Sequence, residues 1–283
     1  MFRIYDTRTG QVENIAPGPG SVLRLYTRGP WRGRPAHIGE LRSLLVADLI
    51  RRNAEHRHAL TAVVCLVIPR GGNDEAPAGD GALSTETTVL NIKPAEQTLL
   101  APEPASPGTG AESPVEIIVE ARLGPAAGQA TVRHTVGVGP VTFSGHDAGH
   151  PAPHEPPTVH LSSLADRGLD PLAVRLALMS RRHADQADLT WDVLSEADQA
   201  LRRWRELVAE WAESPSRPMC AEVTAQVAAA FDGDLDTPAA LQALRGLEND
   251  TQIPPGSKFE SFLNADQLLA LDLPREIGRL PRG

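Results

Sequence analysis

Cysteine is nearly missing from this chain: Cys65 and Cys220 are the two among 283 residues. That excludes a secreted disulfide framework and a cysteine-rich structural zinc motif, and leaves room for one disulfide at most. Lysine is equally scarce. Lys93 and Lys258 are the only two, so almost all positive charge is arginine. Positive charge is in deficit overall, with a formal net charge of −9, which disfavours nonspecific attraction to nucleic acid. Aromatics make up 4%. No apolar run reaches the length of a membrane span, and the opening Met1–Asp6 lacks the apolar core of a signal peptide, so a cytoplasmic location is expected. What remains, 41% hydrophobic and 22% charged residues, is the composition of a soluble globular protein with enough chain for a sizeable core.

Residues 1–70 read as the start of an α/β unit. Val22–Tyr26 is a strand candidate. Leu41, Leu44, Leu45 and Leu49 form one apolar stripe at helical spacing, with Asp48 among them. Thr61–Ile68 is a nearly all-apolar, β-branched run that suits a central parallel strand, with Cys65 buried in it. Strand, helix, strand in that order predicts a right-handed crossover. Residues 71–114 carry Pro77, Pro94, Pro102, Pro104, Pro107 and Pro114 with little periodicity and read as a loop or linker, containing one short strand at 89–92. Strands are expected at 115–120 and 131–136, with a further short one within 138–143. Residues 145–157 read as loop, since four prolines exclude regular structure.

From residue 161 the pattern is helical. Asp170-Pro171 and Thr237-Pro238 are cap-plus-proline signatures. Leu194, Ala197, Leu201, Trp204, Val208 and Trp211 step by three and four, which predicts a long amphipathic helix with both tryptophans in the core. A last short helix is expected at 265–271.

Between the first strand and helix lie Tyr26-Thr27-Arg28-Gly29-Pro30 and Pro35-Ala36-His37-Ile38-Gly39-Glu40. A strand ending in a glycine turn, then a His-x-Gly step opening a helix, can grip ATP: glycine admits the adenine, and the histidine and helix N-terminus face the phosphates. These residues resemble the cysteinyl-tRNA synthetase family of class I aminoacyl-tRNA synthetases, including its mycothiol cysteine-ligase branch, in truncated and divergent form. Three further blocks in the right order add to the resemblance: Tyr5–Thr9, Asp166–Leu178 and Asp234–Leu241, with Leu189–Asp192 fitting between the last two.

The resemblance implies an α/β fold: a reduced class I, Rossmann-like nucleotide-binding domain over 1–160, with a Pro-rich linker or insertion at 71–114. An α-helical, stem-contact-like bundle over 161–283 follows. It implies ATP as cofactor, with Gly29, Pro30, His37, Gly39 and Glu40 in the nucleotide site and His37 as the catalytic residue that stabilises phosphate charge. The chain also departs from the family. Arg28 stands where the first zinc-binding cysteine would be, so zinc-based cysteine selection is not expected. The mobile loop whose lysines stabilise the transferring phosphates falls within 146–157, which contains no lysine or arginine. Only His146, His150 and His154 could carry charge there, when protonated. Glu40 replaces a neutral or basic residue and would repel phosphate unless paired with Arg42 or Arg28. The anticodon-binding extension has no counterpart, so tRNA charging is not expected.

Blander readings stand beside these. His146, His150, His154 and His160 with Asp147 and Glu155 could hold a metal, but Pro151 and Pro153 break the helix that would align them, and a solvated loop is the simpler reading. Arg28, Arg32 and Arg34 with Trp31 could clamp phosphate or RNA, or form a solvated turn. Two functions lead, an ATP-dependent aminoacyl ligase-like protein acting on ATP and an amino acid, or an inactive pseudo-synthetase that binds a protein partner; a third, an RNA-binding regulator, is disfavoured by the acidic balance.

Overall fold

The computed structural model describes residues 2–15, 22–29, 36, 38–69, 80–101, 115–122, 131–144 and 160–279. The chain opens with an antiparallel hairpin, β1 (Arg3–Asp6) and β2 (Gln11–Asn14), turned through Gly10 at φ +70°. A five-stranded sheet follows in the order β5-β4-β3-β6-β7. β3 (Val22–Arg28), β4 (Thr61–Pro69) and β5 (Gln97–Ala101) are parallel. β6 (Val115–Arg122) runs antiparallel to β3, and β7 (Thr131–Val138) runs antiparallel to β6 at the sheet edge. The α/β class expected from the strand–helix–strand pattern is therefore present, in a mixed sheet.

The helix α1 (Ile38–His58) links β3 to β4 and buries far more than one stripe. Every residue from Leu41 to Ile50 is buried. Packing explains the difference: α1 lies on β3 and β4 and also touches the helices α4 (Leu172–Met179) and α8 (Pro255–Leu269). Its polar residues must then find partners inside. Asp48 accepts from Arg175 Nη2 (2.7 Å), Arg52 Nε (2.8 Å) and the Lys93 N–H (3.0 Å). Arg42 donates to the carbonyls of Gly139, Pro140, Asp185 and Arg182 at 2.6–3.2 Å. Burial lowers its pKa to about 10, with Asp185 opposing the shift.

The proline-rich stretch is not a bare linker. It contains α2 (Asp80–Val89) and supplies β5, the third parallel strand. The short strand expected at 89–92 is instead the end of α2 and a tight turn, with Asn91 at φ +52°. Gly, Ser and Thr within α2 give weak helix signals, so tertiary packing decided this segment. β8 (Val141–Phe143) pairs in parallel with β9 (Ala187–Leu189). Gly139, before β8, donates to the His183 carbonyl at 2.8 Å, and a Cβ there would lie 2.2 Å from the Asp185 carbonyl oxygen. Gly139→Ala is therefore expected to destabilise by about 3 kcal/mol, the upper range for overpacking. A denaturant midpoint unchanged from wild type would contradict that.

The C-terminal half is helical as expected: α3 (Ser162–Asp166), α4, α5 (Trp191–Trp211), α6 (Ala221–Asp232), α7 (Thr237–Asn249), α8 and a closing 3₁₀ turn (Leu273–Glu276). Thr190 caps α5 by accepting the Val193 N–H at 3.1 Å. The N-cap of α7 is Asp236, accepting from Ala239, with the proline inside the first turn. Asp170 accepts the Leu172 N–H at 2.9 Å, so it serves the start of α4 as the sequence suggests. Trp204 and Trp211 are buried and meet Phe262 edge-on at centroid distances of 5.6 and 5.2 Å. α8 begins ten residues before the helix expected at 265, and α6 had no prior expectation at all. Their apolar positions are diluted by Ala, Gly and Ser, which weakens the periodic signal.

Candidate nucleotide cleft

The candidate site lies where β3 ends and α1 begins. Gly29 continues the ladder, donating to the Val67 carbonyl at 2.9 Å. It is buried, and a Cβ there would sit 2.9 Å from Leu66 Cδ1. Packing against β4 thus favours glycine independently of any ligand, since a larger residue would push the Leu66 side chain aside. Pro30 and His37 lie outside the described residues, as do Trp31, Arg32, Arg34 and the loop bearing His146, His150 and His154. Gly39 and Glu40 occupy the first turn of α1 and are half-buried. Ser43 reaches back to the carbonyls of Glu40 (3.2 Å) and Arg28 (3.5 Å), stitching the helix start to the strand end.

Two residues not singled out for this cleft converge on it. Glu86 of α2 accepts the Ala36 N–H on both carboxylate oxygens at 3.1 Å. His160 Nδ1 lies 3.1 Å from the Ala36 carbonyl, which ties this histidine to the same residue, while the other histidines weighed with it lie outside the described residues. Burial raises the Glu86 pKa, and nearby Glu40 adds to that, while the Ala36 N–H and His160 work against it. The residue just before His37 is therefore clasped by a carboxylate. No sequence signal pointed to Glu86, because its helix sits in the stretch that reads as linker.

Arg42 is not available to neutralise Glu40, since its Nη1 and Nη2 are committed to four carbonyls. Arg28, at the end of β3, offers no lone pair to a metal, so position 28 does not fit the thiol-binding zinc of the resembled family. A separate cavity of about 180 Å³ lies between α1, β4 and the 92–98 segment, lined by Leu44, Asp48, Leu66, Thr87, Ile92 and Lys93 among others. Its one buried carboxylate, Asp48, is already fully bonded.

No protein-family model matches the chain. It is 34% identical over 145 residues to the L-cysteine:1D-myo-inositol 2-amino-2-deoxy-alpha-D-glucopyranoside ligase of Mycolicibacterium smegmatis, a match covering 50% of this chain and 34% of that protein. The enzyme of the same name from Streptomyces griseus is 41% identical over 86 residues, 30% of this chain and 20% of the relative. The matches thus span about a third or less of these relatives' own lengths. A putative arginyl tRNA synthetase from Campylobacter jejuni aligns over 90% of this chain and 92% of its own, with a TM-score of 0.45 and 9% identity. The resemblance to the cysteine-ligase branch, read from the motif blocks, is borne out by the two ligases.

Proposed function

We propose that this chain is a divergent ATP-dependent ligase-like protein whose nucleotide site is the cleft at the end of β3. The observation that carries this reading is topological. The chain passes from β3 to β4 to β5 on one side and then places β6 on the other side of β3. Ligands of open α/β sheets bind outside the carboxyl ends of the parallel strands, here the edge at which β3, β4 and β5 end and β3 runs on towards α1. Gly29, Ala36, Gly39 and Glu40 all gather at that point. The similarity to L-cysteine ligases supports the same reading. In the proposed reaction a substrate carboxylate attacks the α-phosphorus of ATP, the bond to the β-phosphate breaks, and an acyl-adenylate and pyrophosphate form. His37 would stabilise the phosphate charge, and Pro30 would complete the turn.

The test is amino-acid-dependent ATP–pyrophosphate exchange with the purified chain, cysteine first and then the other standard amino acids. Exchange that is lost in His37→Ala is the expected result. No exchange with any amino acid, beside an active control ligase, would reject adenylation.

A second reading is favoured by one specific observation. The Ala36 N–H is already held by the Glu86 carboxylate, with Glu40 close by. Negative charge at this position opposes triphosphate, as expected of a pseudo-synthetase that binds a protein partner. Association with such a partner at equal strength with and without ATP would support this reading against the first. Among the described residues no helix is long and apolar enough to cross a membrane.

A further inference from the structure

Outside the nucleotide cleft, Asp6 at the end of β1, Glu13 on β2 and His134 on β7 meet in one cluster. Strand alternation brings them together. Ile4 and Asp6 point inward, and Glu13 pairs with Ile4 in the hairpin register, so it shares their face. The hairpin docks on β7 through the Thr7 N–H and hydroxyl, which both donate to the Thr135 carbonyl at 2.8 and 3.0 Å. The fit is close: a Cβ on Gly137 would lie 2.7 Å from Thr7 Cγ2.

The polar chemistry of this cluster is incomplete. Asp6 and His134 are 0% and 2% exposed. Among the described residues Asp6 Oδ2 and both ring nitrogens of His134 have no hydrogen-bond partner. Nδ1 of His134 is 3.5 Å from Asp6 Oδ2 and 3.3 Å from Glu13 Oε2. One ring nitrogen holds at most one proton, so it cannot serve both carboxylates. Those separations are poor for hydrogen bonds. They match the edge of a tetrahedron around a metal, about 3.4 Å for bonds of about 2.1 Å. The remaining carboxylate oxygens are held in place: Asp6 Oδ1 accepts the Arg8 N–H at 2.8 Å, and Glu13 Oε1 accepts the Thr9 hydroxyl at 2.6 Å. Such outer hydrogen bonds orient ligand oxygens towards a centre. Arg8 is the nearest competing cation, with Nη2 3.7 Å from Asp6 Oδ2, but that nitrogen donates to the Arg133 carbonyl and its side chain is 59% exposed.

We propose that Asp6, Glu13 and His134 bind one divalent transition-metal ion of the zinc class, fastening the β1–β2 hairpin to β7. Two carboxylates and a neutral imidazole balance a dication, whereas a protonated histidine leaves this buried cluster one charge short. One nitrogen and two oxygens suit zinc or manganese, and the tetrahedral edge favours zinc. Glu13, with its side chain 33% exposed, opens the fourth position to a water molecule and gives the ion an entry path. Nε2–H of His134 is the donor left uncompensated. The site shares no residue with the nucleotide cleft and does not depend on ATP binding.

The test uses the untagged full chain, stripped with chelator and titrated with Zn²⁺ by calorimetry, with metal per chain measured after dialysis. One zinc per chain and a rise in Tm are expected. Glu13→Gln, at a partly exposed position, should stay folded and bind at least about tenfold more weakly, and His134→Gln should lose the ion. Co²⁺ should give the intense visible bands of a tetrahedral site. Absence of zinc binding by the folded wild type would overturn the proposal. So would equal affinity in Glu13→Gln, which would place any bound ion elsewhere.

Discussion

Arg175→Met lowers the stability of this protein by about 3–5 kcal/mol, the cost of removing one partner from a buried ion pair. Arg175 is 0% exposed and Asp48 2%. The guanidinium does three things at once: Nε donates to the Leu269 carbonyl (2.6 Å), Nη1 to the Leu90 carbonyl (3.0 Å) and Nη2 to Asp48 (2.7 Å). It thereby ties α4 to α1, to the turn after α2 and to the end of α8. Methionine fills much of the volume but leaves two carbonyls without this donor and Asp48 with only Arg52 and the Lys93 N–H. Urea unfolding reads the effect directly, and a loss below about 1 kcal/mol would refute this account. Replacing both partners, Asp48→Leu with Arg175→Met, should recover part of the loss, because no under-paired carboxylate is then left buried, while Arg52 keeps its bonds to the Asn91 and Gln267 carbonyls.

The same pair sets an acid limit. Burial alone would push the Asp48 pKa up, but Arg175 and Arg52 together with the Lys93 N–H hold it below the usual carboxylate value. A carboxyl depressed in the folded state contributes stability above its unfolded pKa of about 4, and that contribution is lost as pH falls through the folded value. The slope of stability against pH below about 4 should therefore be shallower in Arg175→Met than in wild type.

On the proposed nucleotide reading, Glu86→Gln is expected to raise ATP affinity about tenfold or more. A charge about 8 Å from a bound phosphate would, at an effective dielectric of about 20, contribute about 2 kcal/mol of repulsion, while a factor of ten needs about 1.4 kcal/mol. The amide oxygen can still accept the Ala36 N–H, so the clasp on the helix start survives while the charge is removed. Wild-type protein should bind ATP more tightly as pH is lowered, because the raised Glu86 pKa brings its protonation within reach. The glutamine variant should lose that part of the pH dependence. Calorimetric titration with ATP at two pH values measures both effects. Unchanged affinity in Glu86→Gln would show that this carboxylate does not face the nucleotide, and would weaken the case for a charge-blocked cleft.

Much of the architecture was legible because its signals are local. The continuous apolar run at 61–68 could only be an interior strand or helix, and its β-branched residues favoured strand, as β4 is. The three- and four-residue steps from Leu194 to Trp211 define one face of a helix, and the structure adds the cap at Thr190 that starts it. The proposed nucleotide site was suggested by Gly29 and Gly39, yet the glycine at 29 also has a packing reason that no motif reveals. Glu86 was hidden, because a Gly-, Ser- and Thr-bearing helix among prolines carries neither period nor propensity. Asp6, Glu13 and His134 were hidden for another reason: residues 6 and 134 are brought together by the docking of a hairpin on an edge strand, which no spacing encodes.

The sequence by itself determined the strand–helix–strand opening, the helical second half, the apolar content of the core, the resemblance to cysteine ligases and the shortage of lysine. Those follow from periodicity, composition and motif, which act over a few neighbouring residues. Tertiary structure alone decided that α1 is enclosed on nearly all sides. It also decided that Arg42 is committed to carbonyls rather than to Glu40, and that a carboxylate from α2 sits on the helix start. Such outcomes depend on which groups lose water together when distant segments pack, and burial, not sequence distance, selects the partners of a charge.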